Sequence, residues 1–167
     1  MRRLLAAGAL GIVTAALSAC GGSDGSATSD ETLQRDADVY AIGQIEKDFH
    51  ESMTKKDIDQ MMRLWAPNAT FTFGPGQTAA GTEQIRQIWL TKTKPFSPEI
   101  NWVTDHPAYK LRVTVNGDRG TLHFECHFID MKTHKVAAVT AADQDVARIG
   151  DRWLITNMVG STTELSP

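Results

Sequence analysis

Residues 57–73, DIDQMMRLWAPNATFTF, decide the fold because their apolar spacing changes from that of a helix to that of a strand. Apolar residues recur at three- and four-residue intervals from Ile58 to Trp65, which is typical of one face of a helix. From Pro67 to Phe73, apolar and polar residues alternate, which indicates a strand. The stretch therefore predicts a short helix that leads directly into a β-strand.

The residues on either side of this stretch predict two more helices. Before it, Ile42, Ile45 and Phe49 share one face of a helix that ends at the polar segment 54–57. After it, a glycine-rich turn leads to a helix that begins at residues 81–84. The apolar side chains of that helix are Ile85, Ile88 and Trp89.

The second half of the chain has the two-residue periodicity of strands. Apolar and polar residues alternate from Leu111 to Val115, and the Asn-Gly-Asp sequence at 116–118 predicts a tight turn. Further strands are predicted at 136–148 and, after a Gly-Asp turn, at 153–155. The strand that follows the turn at 116–118 has an apolar face formed by Leu122, Phe124, Cys126 and Phe128. Helices followed by a long antiparallel meander indicate an α+β fold.

The order of these elements resembles that of the NTF2-like superfamily and, within it, the SnoaL-like domains. The resemblance covers residues 36–167, and its matching segments are 57–59, 64–71, 81–89 and 149–155. It implies an NTF2-like cone, in which N-terminal helices pack on a strongly curved, mostly antiparallel sheet around a cavity. It also implies that the protein forms a homodimer through the outer face of the sheet.

The first twenty residues resemble a bacterial lipoprotein signal peptide. A basic start precedes an apolar run at residues 4–17, and the Leu-Ser-Ala-Cys sequence that ends at Cys20 resembles the lipobox. The resemblance implies a signal peptide at residues 1–19 and acylation of Cys20. Gly, Ser, Asp and Thr predominate in residues 21–32 without apolar periodicity, so we predict a flexible tether over residues 20–35. We therefore expect a location in the cell envelope, with a lipid anchor in a membrane and the domain facing the periplasm or the exterior. The alternative is an ordinary signal peptide with an incidental cysteine.

The charge and cysteine content narrow the possible functions. The chain has 17 Lys and Arg against 20 Asp and Glu and no basic stripe, which argues against nucleic-acid binding. Cys126 is the only cysteine after Cys20, so we expect no disulfide in the folded domain. Because Cys126 lies on the apolar face of its strand, we predict a buried and unreactive thiol. We expect no cofactor and no bound metal.

Six aromatic residues are candidates for the wall of a ligand-binding cavity: Phe49, Trp65, Phe71, Phe73, Trp89 and Phe128. Small-molecule pockets are mostly apolar, so these residues predict a small hydrophobic ligand; the alternative is that they only fill the core. Two of them stand where the resemblance places catalytic groups of the isomerase branch, Phe49 at the tyrosine and Phe73 at the general base. Phenylalanine can neither donate a hydrogen bond to an oxyanion nor accept a proton, which favours binding over isomerase chemistry.

Three polar residues are candidates for catalysis: His106, Asp143 and Asp145. Dehydratase-like members of the superfamily often place a pocket histidine at the position of His106, whose usual pKa range suits proton transfer near neutral pH. The alternative is a surface-turn histidine beside Asp105. Asp143 and Asp145 share one strand face, near the protonated acid of the isomerase-like branch; the alternative is a solvated strand edge. The second possible function is therefore a lyase or isomerase with His106 as general base.

His123, Glu125 and His127 form the polar face of the strand that bears Cys126. Two histidines and a carboxylate could bind a metal, but their spacing matches no known site. We therefore expect a wet surface or a dimer interface, and the third possible function is an envelope interaction protein that uses this face. His50, on the first helix, is expected to be exposed.

Overall fold

The computed structural model describes residues 29–165. Its helices are α1 (Ser29–Lys55), α2 (Ile58–Met62), α3 (Thr82–Lys92) and a 3-10 helix (Lys94–Phe96). Its strands are β1 (Trp65–Gly74), β2 (Gln77–Ala80), β3 (Trp102–Thr104), β4 (Lys110–Asn116), β5 (Arg119–Asp130), β6 (Lys135–Ile149) and β7 (Arg152–Glu164). The predicted α+β cone is confirmed, because the helices pack against a curved, mostly antiparallel sheet. The predicted signal peptide and Cys20 lie outside the described residues.

The turn between α1 and α2 is specified by the polar segment of the sequence. Lys56 has a positive φ of 57°, and the backbone N–H of Asp57 donates to the carbonyl oxygen of Ser52 at 2.8 Å, which closes α1. The Asp57 carboxylate then accepts a hydrogen bond of 2.8 Å from the N–H of Gln60 and caps α2. The predicted polar break is thus the end of one helix and the cap of the next.

α1 begins earlier than the sequence predicted. Residues 29–35, which we assigned to the tether, are helical, so the tether prediction is wrong at that end. Asp30 and Glu31 lie in the first turn, where negative charge favours the helix dipole. Residues 29–37 are exposed, so no apolar stripe marks this part of the helix in the sequence. Within the described residues, no helix has both the length and the apolar character needed to cross a bilayer.

The seven strands form one sheet in the order β2-β1-β7-β6-β5-β3, with β4 also paired to β5. Its strand pairs are antiparallel except for β1 and β7, which run parallel. β7 continues to Glu164, far beyond the predicted segment 153–155. Register shifts between β5 and β6 and between β6 and β7 bend the sheet, and its concave face packs against α1.

The core lies between α1 and the concave face of the sheet. Gly120 permits the close approach of its neighbours, since a Cβ atom at this position would lie 2.5 Å from the carbonyl oxygen of Thr114 and 3.0 Å from Cδ1 of Ile42. Cys126 is fully buried, as predicted, and burial raises the pKa of its thiol, with smaller contributions from Asp105 and Glu46.

Candidate ligand-binding cavity and buried histidine cluster

A cavity of about 200 Å³ lies between α1, α3 and the concave face of the sheet. The charged residues along it, Lys92, Lys94 and Glu164, are all exposed, so they form its mouth. The uncharged polar residues that line it are Thr93, Thr140, Ser161 and Thr162, of which Ser161 and Thr162 are exposed. The large apolar side chains that line it are Phe49, Met53, Phe71, Phe73, Trp89, Trp102, Phe124, Phe128 and Met158.

The aromatic rings around the cavity pack against one another and hold its shape. Phe71 and Trp89 are stacked, with ring centroids 5.1 Å apart, and Phe49 meets Trp89 edge to face at 5.4 Å. Phe49 also contacts Phe124 at 5.5 Å. Within the described residues, the buried indole N–H of Trp89 has no hydrogen-bond partner. The wall is therefore a connected set of rings from α1, α3 and two strands.

The mouth of the cavity is bordered by an ion pair. Lys94 pairs with Glu164 at the end of β7, and its ammonium group lies 5.8 Å from the ring centroid of Trp102. Both partners are about half exposed, at 49% and 53%, so the pair can open at little cost in free energy. A ligand could enter past these two side chains.

The structure places five of the six predicted wall residues at the cavity: Phe49, Phe71, Phe73, Trp89 and Phe128. Trp65 is the exception, because it is buried behind Phe71, with ring centroids 5.7 Å apart. Phe124 also lines the cavity, and the alternation along β5 carried the signal, since it puts Phe124 and Phe128 on the same face. The contact of these residues with a ligand remains a prediction.

The prediction that Asp143 and Asp145 lie in the pocket is wrong. Asp143 and Asp145 are exposed on the outer face of the sheet, because the residues that point inward from this part of β6 are Ala142 and Gln144. The Asp143 side chain is 76% exposed and lies against the imidazole of His123, with Oδ1 2.7 Å from Nδ1. Neither acid lies near His106, so the structure does not assemble the proposed catalytic pair.

His106 instead belongs to a cluster with Glu46 and His50, two residues one turn apart on α1. Its Nδ1 atom lies 3.5 Å from Oε2 of Glu46, and its side chain is 45% exposed. His106 is not among the residues that line the cavity. The prediction of an exposed His50 is wrong: it is 1% exposed, because its ring packs edge to face against Phe124 of β5, with ring centroids 4.9 Å apart.

The carboxylate of Glu46 is buried and held from several sides. Its Oε1 atom accepts a 3.1 Å hydrogen bond from the N–H of Ala108 and lies 2.6 Å from Nδ1 of His50. Burial alone would raise the pKa of Glu46, but His50, the Ala108 N–H and His106 together lower it below its usual value. The cluster therefore holds an ionised carboxylate inside the protein. Sequence spacing could have suggested only the Glu46–His50 pair, which is four residues apart on one helix face.

The polar face of β5 lies on the outside of the sheet, as predicted. His127 contacts Asp105, with Nδ1 2.8 Å from Oδ2, so each histidine of this face has a carboxylate partner. Hydrogen bonds from the hydroxyl of Tyr109 and from Lys110 lower the pKa of Glu125 to about 2. The face is a surface of paired charges.

These features define an α+β cone of the NTF2-like type with an internal apolar cavity. The family model for the SnoaL-like domain matches residues 34–159, and the chain belongs to that family. No curated protein matches the sequence significantly.

Solved structures from several bacteria have the same fold. An NTF2-like protein of unknown function from Pseudomonas putida is 15% identical, with a TM-score of 0.66 over 75% of this chain and 87% of that chain. A hexachlorocyclohexane dehydrochlorinase from Novosphingobium barchaimii is 16% identical, with a TM-score of 0.64 over 81% and 93%. A ketosteroid isomerase-like protein from Erwinia carotovora is 13% identical, with a TM-score of 0.59 over 78% and 98%. Likeness at these identities establishes the shared fold.

Proposed function

We propose that this protein binds a small hydrophobic molecule in the cavity between α1, α3 and the sheet. The observation that carries the proposal is the distribution of polarity: the large side chains that line the cavity are aromatic rings and methionines, its polar side chains inside are the hydroxyls of Thr93 and Thr140, and its charged residues are all exposed. An apolar ligand loses its contact with water there without leaving a buried charge unpaired. The dehydrochlorinase neighbour acts on hexachlorocyclohexane, a compact apolar molecule of this general kind.

The size of the cavity limits the ligand. An apolar cavity of about 150 Å³ is enough to hold benzene, so a volume of about 200 Å³ suits a ligand of about eight non-hydrogen atoms. Trp89 adds one polar feature, a buried N–H without a partner in the described part of the chain. A single ring or short chain with one hydrogen-bond acceptor fits this combination.

The lyase or isomerase alternative has less support. It needs a base that reaches the ligand, yet His106 does not line the cavity, and Asp143 and Asp145 lie on the far side of the sheet. Phe49 and Phe73, which do line the cavity, have no group that transfers a proton. The surroundings of the cavity therefore favour binding without turnover.

The proposal also covers the location of the protein in the cell and its oligomeric state. Acylation of Cys20 would hold the domain at a membrane of the cell envelope, and the outer sheet face would join two copies. Labelling with a fatty-acid analogue in cells, compared between the native chain and Cys20→Ala, tests the anchor. Light scattering on the purified chain tests the homodimer.

The binding test uses the full chain in a mild detergent, examined by mass spectrometry for a retained molecule and by titration with benzene and cyclohexane. Tryptophan fluorescence reports binding, because Trp89 and Trp102 line the cavity. We expect saturable quenching that is lost in Gly160→Leu, whose side chain would project toward Phe71 and Met158 and fill the space. Gly43→Leu is the matched control, because a Cβ atom at Gly43 meets nothing within 4 Å. Equal quenching in both variants would refute the proposal.

A further inference from the structure

We propose that Glu46, His50 and His106 form a binding site for a divalent transition-metal ion of the zinc type. Their ligand atoms, one from each side chain, lie within 4.8 Å of one another. The site is separate from the cavity, and it stands where the sequence led us to expect no metal. It would link the middle of α1 to the segment between β3 and β4.

One edge of the cluster has the spacing of tetrahedral coordination, and all three ligand atoms lie within 4.8 Å of one another. Metal–ligand bonds of about 2.0–2.1 Å place neighbouring ligand atoms of a tetrahedron about 3.3 Å apart. The distance from Oε2 of Glu46 to Nδ1 of His106 is 3.5 Å, close to that edge. Glu46 and His50 are fixed by α1 and by the hydrogen bond from Ala108, while the half-exposed His106 can rotate to complete the site.

The state of His50 independently points to a missing partner. This imidazole is 1% exposed, and its Nδ1 atom lies 2.6 Å from Oε1 of Glu46. Within the described residues, its Nε2 atom has no hydrogen-bond partner. A buried polar group without a partner costs free energy, and coordination of a metal by one ring nitrogen would recover it.

The donor set selects the class of ion. Two imidazoles and a carboxylate suit zinc and its neighbours, whereas calcium and magnesium prefer sites built from oxygen atoms alone. Three protein ligands leave a fourth tetrahedral position for water. That position would face solvent on the side of His106, whose side chain is 45% exposed.

The test is a titration of the metal-free full chain with Zn²⁺ by calorimetry and with Co²⁺ by visible absorption, which reports tetrahedral coordination. We expect one ion per chain and a rise in the melting temperature on saturation. His106→Ala removes one of three protein ligands at a half-exposed position, so we expect affinity to fall by about 100-fold or more. Glu46→Gln, which keeps an oxygen for the Ala108 N–H, should weaken binding similarly.

The matched control is His123→Ala, which removes the histidine next to Asp143 and Glu125 on the outer face. We expect this variant to bind one ion with unchanged affinity. Circular dichroism checks that each variant is folded. The proposal is overturned if the native chain binds no ion saturably, or if His123→Ala abolishes binding while His106→Ala and Glu46→Gln retain it.

Discussion

The rings of Phe71 and Trp89 lie parallel, with 5.1 Å between centroids and 5° between planes, and join β1 to α3 across one wall of the cavity. Stacking of this kind fixes the position of both rings, because each also meets a second aromatic side chain. Because these rings form one wall of the cavity, replacing either of them should lower both the stability of the protein and its affinity for a ligand.

Replacing Trp89 by Ala should lower the free energy of unfolding by about 3–5 kcal/mol, because a buried ring that contacts Phe49, Phe71 and Phe96 is lost. Urea unfolding followed by circular dichroism measures the change. Leu90→Ala, next to it on α3 and 44% exposed, is the control and should cost less than about 0.5 kcal/mol. Similar losses in the two variants would contradict the packing described here.

Glu46 should make stability depend on acid pH. Its pKa in the folded protein lies below the reference value of 4.5, so its contribution is complete above that value and is lost as the pH falls through the folded-state pKa. Native protein and Glu46→Gln should therefore differ in urea midpoint at neutral pH and converge as the pH falls below 4.5. The comparison cancels the titration of other acids, which both proteins share. A difference that stays constant with pH would argue against an ionised Glu46.

Asp38 should be a strong contributor to stability although it carries charge. It is 6% exposed and accepts hydrogen bonds from Gln34, Arg148 and Trp153. Asp38→Ala leaves the buried indole N–H of Trp153 and the partly buried Arg148 without this acceptor, at a cost of about 1–3 kcal/mol. Asp118, also paired with Arg148 but 78% exposed, provides the control. Asp118→Ala should cost less than about 1 kcal/mol by urea unfolding. The prediction fails if the two substitutions are equivalent.

Cys126 should resist thiol reagents while the protein is folded. Its side chain is fully buried, and burial raises the pKa of the thiol, so almost none of the reactive thiolate is present near neutral pH. Alkylation monitored by mass spectrometry should be slow in buffer and fast in denaturant. Rapid modification of the native protein would show that the strand β5 opens readily.

Local sequence signals were enough for the helices, the strands and the α+β class, and the resemblance to a family supplied the cone. The polar segment around Asp57 marks a helix end and a cap, and the alternation along β5 separates buried Phe124 from the outer His123. Both features depend on neighbours in the chain, which is why periodicity and capping rules detect them.

The wrong predictions concern side chains whose positions depend on contacts between distant segments of the chain. We expected His50 to be an exposed helix residue, but its ring packs against Phe124 of the distant strand β5. Asp143 and Asp145 were misplaced because β6 contains many alanines, which mark neither face as apolar. Trp65 has the composition of a wall residue, yet Phe71 stands between it and the cavity. The spacing of residues along the chain does not show which distant segment covers a side chain, or which face of a strand points into the core.

α1 is long enough to separate the start of the described chain from the cavity. Met53, near its end, lines the cavity, and Lys56 just beyond it binds the carbonyl oxygens of Ser97 and Ile100 beside the mouth. At 1.5 Å per residue, the helix separates Ser29 from Met53 by about 36 Å. Ser29, where the described part of the chain begins, and the cavity thus lie at opposite ends of the long helix.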